Sequence, residues 1–96
     1  MPQVYVKLMN RGLKSEDHDK FPFQTTENAT VGTLVDELHK TYGPKFEVFL
    51  DEHENQTLKR DAIVIVNGQN MVAHNGLDTN LSDGDMIVFM IAAVGG

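Results

Sequence analysis

Short runs of β-branched and aromatic residues along the chain predict strands. They cover residues 4–9, 21–25, 62–66 and 86 to about 91. Pro22 in the second run predicts an edge position, because proline cannot donate a ladder hydrogen bond. Asn67-Gly68, a dipeptide typical of tight hairpins, predicts that residues 69–72 return as a further strand beside 62–66.

One amphipathic helix is predicted after the second strand. A single apolar stripe at helical spacing is formed by Val31, Leu34, Val35, Leu38 and Tyr42. Thr30 is placed to cap the helix start, and Gly43-Pro44 ends it. Asp36 and Glu37 fall on the opposite, solvated side. A helix with one apolar stripe predicts one sheet face to cover.

Three segments between these elements are less regular. Residues 46–50 fit either a short strand or a helical turn, and we expect polar loops at 10–20 and 51–57. Asn75-Gly76 and Asp83-Gly84 predict turns, and Leu81 is expected to anchor the segment between them.

The element order is two strands, a helix and then three strands, which predicts an α+β fold. The last strand is apolar enough to lie at the sheet centre, beside the first strand. Short connections and the handedness of crossovers leave few alternatives. The simplest solution is one domain over residues 1–96: a β-grasp, or ubiquitin-like, roll whose mixed sheet carries one main amphipathic helix on one face.

Composition restricts where such a domain works. With 41% hydrophobic and 23% charged residues, the chain is typical of a globular protein. It has no apolar run long enough for a membrane helix and no basic-then-apolar leader at its start, so we expect no membrane association and a cytoplasmic location. The net charge of −6, without a Lys/Arg stripe, predicts no direct nucleic-acid binding.

The side chains offer little chemistry of their own. There is no cysteine, which excludes disulfides, cysteine-ligated zinc and iron–sulfur clusters. The four histidines lack metal-ligand spacing, and we expect no metal site. They are His18, His39, His53 and His74. Neither Ser15 nor Ser82 has a base arranged beside it, so no catalytic residue is predicted.

The last residues are the candidate reactive group. The final apolar strand leads without a polar linker into a tail of residues 92–96, which ends in Val94, Gly95 and Gly96. Glycine lacks a Cβ, so this tail can lie extended in a narrow channel and place the Gly96 carboxylate in a partner's active site. A flexible end is the alternative.

The final strand also predicts two faces, because side chains alternate along a strand. Ile87, Phe89 and Ile91 are expected to face the helix, which leaves a second set on the other side of the sheet. That set is Met86, Val88 and Met90. It is either packed like the first or forms an apolar patch that binds a partner.

Three sequence blocks resemble the ubiquitin-like sulfur carriers and modifiers, especially the small subunit of molybdopterin synthase (MoaD) and archaeal ubiquitin-like small modifier proteins. These blocks are residues 27–38, which enter the helix, residues 64–70, and the closing segment from 77 to the Gly-Gly end. One departure is Met90-Ile91-Ala92, where the family often has an aromatic residue and a proline pair.

The resemblance implies a carrier that is not itself an enzyme and binds no cofactor. An adenylating partner enzyme would activate Gly96 with ATP and magnesium, and sulfur would then replace AMP to give a thiocarboxylate. The acceptor would be a molybdenum- or tungsten-cofactor precursor on a molybdopterin synthase large subunit, or a tRNA base. Alternatively, the chain is a modifier joined through Gly96 to lysines of target proteins. A non-covalent interaction domain is the third interpretation.

Overall fold

The structure, a computed structural model, describes residues 2–9, 20–51, 58–59 and 62–91. Its strands are β1 (Gln3–Met9), β2 (Phe21–Gln24), β3 (Ala62–Val66), β4 (Gln69–Asn70) and β5 (Met86–Ile91). Its helices are α1 (Val31–Tyr42) and α2 (Pro44–Glu47), and 3₁₀ turns cover Met71–Ala73 and Gly76–Asp78. The predicted order of strands and main helix is confirmed.

The five strands form one mixed sheet in the order β2-β1-β5-β3-β4. β5 pairs in parallel with β1 and antiparallel with β3, so the last strand is central, as predicted. β2 lies at an edge, in agreement with its Pro22. This is the predicted α+β class and β-grasp topology.

The core lies between one sheet face and the helices. Most inward residues of the central strands are buried, as are Val31, Leu34, Val35 and Leu38 of α1. Tyr42 and Ile91 are partly buried and pack against this core. Phe46, from α2, meets Phe89 of β5 edge-to-face with ring centroids 5.4 Å apart, and Phe49 lies 6.0 Å from Phe89. Leu81 is buried, which confirms its predicted role as an anchor.

Both ends of α1 are capped by the predicted residues. The Thr33 N–H donates to Oγ1 of Thr30 (3.2 Å), and the Gly43 N–H donates to the His39 carbonyl (2.8 Å). The opposite side of the helix is less uniform than expected. Asp36 is exposed, whereas Glu37 is half-buried, and its Oε1 has no hydrogen-bond partner among the described residues.

Residues 46–50 adopt the helical alternative and not the strand. Pro44 starts α2, where its missing N–H costs nothing, and the buried Phe46 holds the turn against the core. An isolated bridge then joins Leu50 to Leu58. Most of the predicted loops at 10–20 and 51–57 lies outside the described residues.

The strand predicted for residues 69–72 is confirmed for its first two residues and wrong for the last two. Only Gln69–Asn70 pairs with β3, and the chain then turns into the 3₁₀ segment Met71–Ala73. The Asn70 side chain caps this turn by accepting from the Val72 N–H (3.0 Å). No helix in the described ranges is long and apolar enough to cross a membrane.

Two valines offer a matched test of the core. Val64→Ala removes two methyl groups from a side chain that is 0% exposed and should lower the free energy of unfolding by about 2 kcal/mol. Val72→Ala removes the same atoms from a side chain 76% exposed and should change it by less than about 0.5 kcal/mol. Urea denaturation measures both. Equal losses would contradict this placement of the core.

Candidate functional site

The strand that leads into the predicted reactive tail is held on both sides. β5 pairs with β1 from Tyr5↔Met86 to Met9↔Met90, and with β3 from Val66↔Ile87 to Ala62↔Ile91. The tail itself, with Val94, Gly95 and Gly96, lies outside the described residues, so its role stays a prediction. The structure thus fixes the chain as far as Ile91.

A group of polar contacts fixes where β5 begins. Asn67 donates from Nδ2 to Oδ1 of Asp85 (3.0 Å), and its Oδ1 accepts from the Met86 N–H (2.9 Å). Oδ2 of Asp85 accepts from the Ser82 N–H (2.7 Å). We call these four residues the Asn67–Asp85 clamp. It joins the β3–β4 hairpin to the turn before β5.

The same turn is tied to the start of β1. Oδ1 of Asp83 accepts from the Gln3 N–H (2.8 Å), and the Gly84 N–H donates to the Gln3 carbonyl (2.7 Å). Gly84 has φ +89°, a conformation that favours glycine. The β5 register is therefore fixed from both neighbouring strands. This matters because a one-residue slip would exchange its two faces.

The predicted alternation along β5 is present. Ile87 and Phe89 are fully buried toward the helices, whereas Met86, Val88 and Met90 are half-buried on the opposite side. The pairing registers place further residues of β1 and β3 beside them. We call this surface the outer sheet face: Tyr5, Lys7, Met9, Ile63, Ile65, Met86, Val88 and Met90. Its use as a partner-binding patch stays a prediction.

The described residues contain no group of three or more His, Cys, Asp or Glu side chains suited to a metal ion. His39 instead pairs with a carboxylate: its Nε2 lies 3.0 Å from Oε2 of Glu47, linking α1 to α2. His74 is exposed, and His18 and His53 lie outside the described residues. Reasoning from the sequence missed the Asn67–Asp85 clamp, since a spacing of 18 residues carries no local signal.

The clamp predicts a specific loss of stability at Asn67, which has φ +51°. Asn67→Gly keeps that conformation but removes both side-chain hydrogen bonds, and should lower the free energy of unfolding by about 1–3 kcal/mol. Asn67→Ala should lower the free energy of unfolding by about 1 kcal/mol more than Asn67→Gly, because alanine is strained at positive φ. Urea denaturation and hydrogen exchange of the Met86 amide measure these effects.

Asn28→Gly is the matched control. Asn28 also has positive φ (+60°) and is exposed, and no side-chain hydrogen bond of Asn28 occurs in the described structure. We expect little change in stability there. A loss at Asn28 equal to that at Asn67 would show that the backbone conformation, and not the clamp, accounts for the effect.

Solved structures with this architecture come from several organisms. Small archaeal modifier protein 1 (SAMP1) from Methanosarcina acetivorans is 23% identical with a TM-score of 0.78, over 100% of this chain and 98% of that one. A Pyrococcus furiosus protein assigned as molybdopterin converting factor subunit 1 is 24% identical (TM-score 0.69; 97% and 100% covered). A chain of the Amycolatopsis orientalis BexX/CysO complex is 22% identical (TM-score 0.69; 97% and 99% covered). At these identities the likenesses establish the fold.

No curated protein matches the sequence. The model of the ThiS family, in contrast, matches residues 10–96, which is most of the chain and includes both the helix and the central strand. The chain therefore belongs to the ThiS family, among the ubiquitin-like sulfur carriers and modifiers that its sequence resembles.

Proposed function

We propose that this protein is a ubiquitin-like sulfur carrier in which the Gly96 carboxylate is the reactive group. The observation that carries the proposal is the ThiS family match, which runs through the central strand to Gly96. The fold supports it, since β5 is fixed up to Ile91 and leads directly into residues 92–96. A strand paired on both sides and followed by a thin glycine end suits delivery of a carboxylate to a partner.

The chemistry follows from the poor reactivity of a carboxylate. A Gly96 carboxylate oxygen attacks the α-phosphorus of ATP, and magnesium pyrophosphate leaves. A hydrosulfide equivalent then adds to the acyl carbon and expels AMP, which leaves a C-terminal thiocarboxylate. This route needs no side-chain thiol, which fits a chain without cysteine. ATP, magnesium and catalysis belong to the adenylating partner enzyme, and the carrier itself binds no cofactor.

The acceptors that we propose are a precursor of the molybdenum or tungsten cofactor, held by a molybdopterin synthase large subunit, or a tRNA base, in the cytoplasm. The likeness to the Pyrococcus furiosus converting-factor subunit favours the first acceptor. Likeness to a chain of the BexX/CysO complex favours a carrier that works by docking to a protein. The apolar Met86, Val88 and Met90 are the proposed docking residues of β5.

The proposal is tested by ATP–pyrophosphate exchange with the adenylating enzyme encoded in the same genome. We expect exchange that depends on this protein. Deleting Gly96, or adding one residue after it, should abolish exchange, because each change moves the carboxylate by one residue, about 3.4 Å. Val72→Ala, far from the tail in sequence and highly exposed, is the control and should match wild type. Undiminished exchange without Gly96 would contradict the proposal.

A second candidate function, attachment of the chain to target lysines, is favoured by the likeness to SAMP1. The last lysine or arginine is Arg60, so trypsin would leave residues 61–96 on a modified lysine. Val94→Arg shortens that remnant to Gly-Gly, which peptide mass spectrometry of cell extracts detects. Gly-Gly-modified lysines that disappear when Gly96 is also deleted would support conjugation. Their absence, with a Val94→Arg protein that still supports ATP–pyrophosphate exchange, would leave sulfur transfer alone.

A further inference from the structure

The sheet of this acidic protein carries an unexpected charge pattern. Although the chain has 14 Asp and Glu residues and a net charge of −6, the five strands of the described structure contain none of them. Lys7 is the only charged residue in the five strands. It lies on the outer sheet face, where it is the one charged residue among the strand residues that form the surface.

The neighbours of Lys7 on this face in β1, β5 and β3 are apolar or aromatic. Val88 of β5 is the register partner of Lys7, and Ile65 of β3 is the register partner of Val88 on its other side. Met9 and Tyr5, two positions away along β1, lie on the same face. Lys7 is half-buried, and no hydrogen-bond or ion-pair partner for its ammonium is present among the described residues.

A second lysine near this face, Lys20, already contacts an aromatic ring. Nζ of Lys20 lies 5.4 Å from the ring centroid of Tyr5, over the edge of the outer sheet face. A lysine ammonium over an aromatic ring is attracted by the negative face of the ring. Lys7 therefore differs from Lys20, because the described structure offers it no such partner.

The position of the tail connects this face to the proposed partner. Met90 is the face residue next to the end of β5, and from Ile91 a five-residue tail reaches at most about 17 Å. An enzyme that encloses Gly96 thus lies against the end of the sheet. A tail of small residues offers much less surface than the ~800 Å² per partner of a stable interface. The enzyme must also contact the body of the domain, and the outer sheet face is its apolar surface next to the tail.

Covering that face has an electrostatic consequence. Burying an unpaired ammonium under an apolar surface costs several kcal/mol, whereas a carboxylate at hydrogen-bond distance offsets much of this cost. A partner that fits the face therefore needs both apolar side chains and one correctly placed acid. This is opposite to the basic surface that the net charge alone would favour.

We propose that Lys7 is a specificity-determining residue for the adenylating enzyme: the enzyme presents an apolar patch containing an Asp or Glu whose carboxylate pairs with the Lys7 ammonium. The proposal rests on the proposed function, since it assigns the enzyme that receives Gly96 as the partner. The chemistry at Gly96 is unaffected by this pair. Lys7 acts on docking only.

The decisive variant is Lys7→Met, which keeps the length and packing of the side chain and removes its charge. A purely apolar interface would bind this variant as tightly as wild type or more tightly. If the interface contains the proposed pair, Lys7→Met leaves the enzyme's carboxylate buried without a partner. KM for the carrier in ATP–pyrophosphate exchange should then rise on the order of 30-fold, with kcat unchanged. Lys7→Glu should raise KM further, and Lys7→Arg should retain most of the affinity.

Lys40→Met is the matched control, because Lys40 is an exposed lysine in the last turn of α1. Its KM should equal that of wild type. Charge reversal of the enzyme's acids, one at a time, should then find one Asp→Lys or Glu→Lys variant that restores exchange with the Lys7→Glu carrier. Urea denaturation of each carrier variant confirms that the domain is folded.

The outcomes separate the two proposals. If wild type supports exchange and Lys7→Met has an unchanged or lower KM, the pairing proposal is overturned while the carrier function stands. The absence of any enzyme variant that rescues Lys7→Glu would also overturn the pairing. If wild type supports no exchange, the carrier proposal itself fails, and the partner assigned to Lys7 fails with it.

Discussion

The pairing of β5 with both β1 and β3 is the constraint on which the rest of the structure depends. β1 and β2 form one hairpin and β3 and β4 form another, and in the described structure only β5 joins them into a single sheet. The inward side chains Ile87 and Phe89 give that sheet a continuous buried surface for α1 and α2. One strand therefore completes the core and also leads into the tail proposed to react. Because β5 pairs on both sides, the fold fixes the chain as far as Ile91, the residue before the tail.

This arrangement separates structure from chemistry. The described residues contain no group of side chains suited to a metal ion, and the chain lacks cysteine. Reactivity is proposed to reside in a terminal carboxylate and to be supplied by other proteins. The contribution that we propose for the body of the domain is recognition of the partner. The outer sheet face has the composition for this role: it is apolar, it adjoins the tail, and Lys7 gives it one charge that a correct partner can pair and an incorrect one must desolvate.

Periodicity in the sequence was enough to predict the main elements. The apolar stripe from Val31 to Tyr42 and its caps gave the helix, and Pro22 correctly indicated an edge strand. Other features depend on contacts between distant residues. The helical turn at Pro44 forms because Phe46 finds a buried site beside Phe89, and residues 46–50 alone fit a strand equally well.

The candidate site was predictable to a similar extent. Alternation along β5 separated Met86, Val88 and Met90 from the core, and that placement is confirmed. The Asn67–Asp85 clamp was not predicted, because Asn67-Gly68 signals a turn in any hairpin and its bonds to Asp85 and Met86 exist only once β5 is in place. The sequence alone also did not indicate the docking role that we propose for Lys7. A lysine in a strand is ordinary until the pairing registers show that its neighbours in β5 and β3 are apolar.

The most direct test of the central claim is the intact mass of the protein purified from its native cells, before and after treatment with a thiol alkylator. A carrier with a thiocarboxylate on Gly96 should be heavier than the free acid by the exchange of one oxygen for one sulfur. It should also take up one alkyl group, although the chain has no cysteine. A protein that is found only as the free acid, and is not alkylated even when sulfur transfer is active in the cells, would contradict the account.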